Sequence, residues 1–118
     1  ACAHSIYNAF TTLPQCHQMY HGELVAFGTL VQLILEKRQE REVEEVLRFC
    51  THVGLPTTFG DICSTGLTRE DLMAVAAAAC SPVNFMASEP FPVSPDQVYE
   101  ALVAADARGR SFRETNRT

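Results

Sequence analysis

The stretch 23-Glu-Leu-Val-Ala-Phe-Gly-Thr-Leu-Val-Gln-Leu-Ile-Leu-Glu-Lys-37 decides how this chain folds. Apolar residues occupy positions 24 to 27, 30, 31 and 33 to 35, so as a helix it is apolar on nearly every side. Such a helix must be packed on every side, which puts it at the centre of a helical bundle. Gly28, Thr29 and Gln32 interrupt it, and it is too short to span a bilayer.

Downstream, Val43, Val46, Leu47, Cys50 and Val53 recur at helical spacing, predicting an amphipathic helix over 41–53. Glu40, Glu42, Glu44 and Glu45 crowd its first turns, where the helix dipole favours negative charge, and Gly54 and Pro56 end it. His52 sits in its last turn, where the same dipole gives it a structural role. Residues 57–67 read as a connector whose Phe59, Ile62 and Leu67 plug the core. Asp61 within it is a turn former that could also ligate a metal.

Thr68 with Asp71 opens a short alanine-rich helix that Ser81-Pro82 stops. The proline-rich segment 82–93 is expected to lack regular structure. Ser94-Pro95-Asp96-Gln97 is a capping box with proline at the first helical position, starting a last helix through Val98, Leu102 and Ala105. Arg108, Arg110, Arg113 and Arg117 then read as a solvated tail. The fold class expected is all-α, a bundle of about five helices forming one helical domain over residues 1–118.

Upstream, Ala1 to Phe10 reads as the end of a small-residue helix, followed by a Pro14-containing loop over 11–20. That loop can bring His4 and His21 together, and imidazole is a common ligand for zinc. A rival pairing is His17 with His21, whose i, i+4 spacing shares one face if the helix starts early enough. Gly22 argues that it starts at about His21 and leaves His17 in the loop.

A formal charge of −5 argues against binding nucleic-acid phosphates as a main task. Five cysteines, odd in number and without a C-x-x-C pair, do not read as a disulfide framework, and a reducing cytoplasm is the expected home. The start at Ala1-Cys2-Ala3, without methionine or a capping residue, reads as a cut into a helix, although a processed small protein would begin the same way. No GxGxxG or other phosphate loop occurs, so no residue here is assigned to catalysis or to binding NAD.

Ala3-His4-Ser5-Ile6-Tyr7-Asn8, the block from His21 to Gly28, Val53-Gly54-Leu55-Pro56, Ser94 to Tyr99 and Ala104-Ala105-Asp106 together resemble one family. They are similar, in one register, to the C-terminal helical region of the iron-containing alcohol dehydrogenases, in their glycerol-oxidising branch. The resemblance implies a dehydroquinate synthase-like helical domain. It also implies that His4 and His21 are two of three protein ligands of a catalytic zinc or other divalent metal, acting as ligands and not as bases. The third, an aspartate, lies upstream of the matched stretch and has no counterpart here. The activity implied for the full-length enzyme is NAD-dependent oxidation of glycerol to dihydroxyacetone in a homo-oligomer. Tyr7 and Leu24 depart from the family, which often carries histidine and lysine there, and Asn84 is all that suggests a further polar pair. The rival reading is a non-catalytic helical interaction module with structural histidines.

Overall fold

The structure is a computed structural model describing residues 2–13, 16, 21–63, 66–80 and 93–116, with Cys2 and His21 described by backbone alone. Among these residues the chain is all helical: α1 (Cys2–Phe10), α2 (His21–Leu35), α3 (Glu40–Val53), α4 (Phe59–Ile62), α5 (Arg69–Ala79) and α6 (Pro95–Thr115). The expected bundle of about five helices gains a sixth, the single turn α4, inside the expected connector. Of the expected connector over 82–93 only Val93 is described, without helix, and Asn84 lies outside the described residues.

The centre is α2, as its all-round apolar surface requires: it packs against α1, α3 and α6, while α5 closes the space between α1 and α6. Leu24, Phe27, Leu30 and Val31 are fully buried on α2, facing Ile6 and Phe10 of α1 and Leu102 of α6 in one core. Phe10 meets Phe27 edge-on, with ring centroids 6.2 Å apart. Each such large side chain removed from water contributes about 1.5–3 kcal/mol, which is why this core outweighs the weak intrinsic propensity of a segment carrying Gly28 and Thr29.

The caps follow from local sequence. Thr68 accepts from the Asp71 N–H while the Asp71 carboxylate accepts from the Thr68 N–H, and Ser94 with Gln97 repeats the exchange behind Pro95. Gly54 ends α3 in the left-handed region, φ 82°, where a side chain would be strained. The one-turn α4 carries a third capping box, Thr58 with Asp61.

Two expectations are corrected. The arginine-rich C-terminus, as far as it is described, is no solvated tail, because α6 runs on to Thr115. Arg108 pairs with Glu40 of α3, Arg110 with Asp106, and Arg113 with Asp61, while Arg48 of α3 lies over the Phe112 ring. Those partners, three of them on other elements, give the last turns a reason to stay helical. The cysteines also depart from the reading as unpaired thiols: Cys16 and Cys63 form a disulfide, whereas Cys50 and Cys80 are free, as small apolar residues of helices would be. Spacing along the chain carries no information about a pair 47 residues apart.

Candidate metal centre

The histidine-bearing helices meet at a contact only glycine permits. A Cβ added to Gly28 would lie 2.7 Å from the Ala3 carbonyl oxygen, so the first turn of α1 rests directly on α2. His4 follows Ala3 and is exposed, while Ser5, Ile6, Ala9 and Phe10 turn inward. The metal ligand expected at position 4 therefore stands on the outer face of a helix anchored on both sides of it. His21 is the first residue of α2, with Glu23 in the same first turn, so the helix begins where Gly22 predicted. Its imidazole, and all of His17, lie outside the described residues.

Leu24, at the position where the resembled enzymes often carry lysine, is buried in the core, and Tyr7 packs partly against it. Among the described residues no group of three His, Cys, Asp or Glu side chains converges to hold a metal ion. Asp61, read as a turn former that could also ligate a metal, is a capping residue of α4. Its Oδ2 accepts from the Thr57 N–H at 3.0 Å, the Thr58 N–H at 3.2 Å and the Arg113 guanidinium at 2.6 Å. Burial pushes this carboxyl up, but the hydrogen bonds and charge of Arg113, with those of Thr57 and Thr58, outweigh it and hold the carboxyl below its ordinary value. A carboxylate so occupied has little left to offer a cation. His52 is exposed near the end of α3, consistent with a structural role.

Sequence reasoning also missed the junction that holds α4 to α6. Asp106, buried on α6, accepts from the Phe59 N–H at 2.7 Å, so it satisfies a donor at the start of α4. Gly109 passes so close to the Thr57 carbonyl that any side chain there would overlap it. Arg113 adds a hydrogen bond to the Thr57 hydroxyl at 3.0 Å. Nothing in the order of residues links Asp106 to Phe59.

No family model matches the chain. By sequence and by fold it is nonetheless homologous to the C-terminal helical part of a class of oxidoreductases. That class is the glycerol dehydrogenases. The chain is 44% identical to glycerol dehydrogenase of Citrobacter freundii over 112 residues, covering 95% of this chain and 31% of the relative. It is 42% identical to glycolaldehyde reductase of Halobacterium salinarum, covering 97% and 31%. The crystal structure of a probable glycerol dehydrogenase from Sinorhizobium meliloti superposes with a TM-score of 0.89 at 40% identity, covering 94% and 31%. The chain thus spans about a third of the length of the curated relatives it matches.

Proposed function

We propose that this chain is the metal-ligating helical portion of an NAD-dependent polyol dehydrogenase, which as a whole oxidises glycerol to dihydroxyacetone. The observation that carries the reading is the match to glycerol dehydrogenases along nearly the entire chain. In it, His4 and His21 are the two ligands this portion contributes, one from α1 and one from the start of α2. Zinc, when bound, would hold the substrate hydroxyls and stabilise the alkoxide from which hydride leaves to NAD.

The residues present fit that group in part. His4 is exposed on a helix held rigidly by the Gly28 contact, and a rigid support is what a preorganised ligand needs. Two imidazoles are one protein ligand short of the usual catalytic zinc site and bring no negative charge, so the chain alone is expected to hold zinc weakly. The task of α2 in this reading is to fix the backbone from which His21 projects, and Leu24, one turn on, anchors that start of the helix in the core. NAD, the third metal ligand, the homo-oligomer and the cytoplasmic setting belong to the whole enzyme in this reading.

The test is an NAD-reduction assay on the purified chain with excess glycerol and added zinc. No NADH is expected, since the all-helical residues described offer no dinucleotide fold. The same assay on the chain joined to the nucleotide-binding part of a homologous glycerol dehydrogenase is expected to yield NADH, and to lose it on His4→Ala. NADH from the chain alone, or an active fusion indifferent to His4→Ala, contradicts the proposal.

A further inference from the structure

We propose that the Cys16–Cys63 disulfide is a redox-responsive strap that fastens the chain just beyond α1 onto the α4–α6 junction. Each half of the bond is anchored to a different part of the bundle. Cys16 is buried and its N–H donates to the Leu13 carbonyl, 3.0 Å away, at the end of α1. Cys63 is buried at the C-terminal cap of α4, its N–H donating to Phe59. Through Phe59 and Asp61, α4 is in turn held to Asp106 and Arg113 of α6. The main packing of α1 is on α2 and α5, so the bond adds a covalent tie between regions whose main contacts lie elsewhere.

The rest of the cysteine inventory suits a reducing setting, where a disulfide is usually transient or redox-sensing rather than a permanent staple. Burial pushes the thiols of Cys50 and Cys80 up, which keeps them protonated and poor partners for exchange. The reductant is therefore an external dithiol. Its thiolate attacks one sulfur of the pair, the other leaves as thiolate, and the second thiol of the reductant closes on the mixed disulfide. Two electrons pass to the bond, Cys16 and Cys63 each end with a proton, and the dithiol ends as a disulfide. Because both cysteines are buried, the attack waits on local opening around the bond.

Any effect on zinc rests on the proposed function above, but the strap itself is testable without metal. The full chain, denatured in iodoacetamide, is weighed before and after treatment with dithiothreitol. Of its five cysteines, three should be alkylated before and five after. Under native conditions, amide hydrogen exchange at Thr11, Thr12, Leu13 and Cys16, whose N–H groups are hydrogen-bonded, should speed up at least tenfold on reduction, and clearly more than in α3. A Cys63→Ala variant should exchange rapidly in either redox state; the two states of the wild type decide the matter if that variant does not fold. Five alkylated cysteines before reduction overturn the proposal. So does unchanged exchange at Thr11 to Leu13 and Cys16, or an acceleration equal in α3 and α6, which would make the bond a general staple.

Discussion

The α4–α6 junction and the α1–α2 pair are built in opposite ways. At the junction a chain of polar groups answer one another. Asp106 satisfies Phe59, Asp61 satisfies Thr57 and Thr58, Arg113 satisfies Asp61, and Gly109 removes the side chain that would keep the two elements apart. The α1–α2 pair is largely apolar between its helices, with Ser5 buried among Ile6, Ala9 and Phe10, and keeps His4 on its outer face. The difference separates polar residues buried in holding two elements together from a polar residue that the helix presents on its outer face. Substitutions at the junction should cost stability, and substitution of His4 should not.

The largest expected effect concerns the bond joining the two regions. Closing a 47-residue loop by Cys16–Cys63 stabilises by about 4 kcal/mol in the chain-entropy description, so urea unfolding of the reduced chain should show a midpoint well below that of the oxidised chain. Equal midpoints would mean that the bond constrains nothing. Next, Gly109→Ala forces a methyl group into the Thr57 carbonyl and should cost about 3 kcal/mol, at the upper end for overpacking because the obstacle is backbone. An unaltered melting temperature for this variant would show that the approach of α4 to α6 is looser than described. Asp106→Ala leaves the Phe59 N–H without its acceptor and should cost about 2 kcal/mol by the same unfolding measurement.

Smaller still is the pH dependence of Asp61. Its carboxyl is held below its ordinary value in the folded chain, so the stability it lends is fully present above the unfolded value of about 3.9 and is lost as pH falls through the folded one. Arg113 is about half exposed, so its ion pair is worth less than about 1 kcal/mol. Unfolding at pH 7 and pH 3 should show a smaller acid-induced loss in Arg113→Ala than in wild type; an equal loss would assign the acid sensitivity elsewhere. At the bottom of the scale, His4→Ala should change stability by no more than about 0.5 kcal/mol, because the side chain is exposed.

Legibility in the sequence followed the range of the interactions. The central helix, the start of α2 at His21, the glycine stop at Gly54 and the capping boxes at Thr68 and Ser94 were all readable, since each depends on residues within one or two turns. The capping box at Thr58 was missed because a four-residue helix shows no periodicity and Gly60 sits inside it. Continuation of α6 through the arginines was missed because Glu40 and Asp61, which receive two of them, are distant in the chain. The disulfide was missed for the same reason. For the candidate metal centre, two histidines separated by a proline-containing loop gave the chemistry but not its purpose. The purpose came from resemblance; the comparisons add homology to glycerol dehydrogenases, and the ligand roles remain the proposal made above.

The claim that His4 and His21 are the metal ligands can be read directly from the four imidazoles by NMR, which tolerates weak binding. With increasing zinc, the ring resonances of His4 and His21 should move together along one binding curve, while His52 stays still and His17 follows only if it lies nearby. In His4→Ala the response of His21 should weaken at least tenfold in zinc concentration while the fold is kept. If His17 and His21 move together and His4 is unaffected, the ligands are the i, i+4 pair; if no ring responds at millimolar zinc, this portion of the chain holds no metal site.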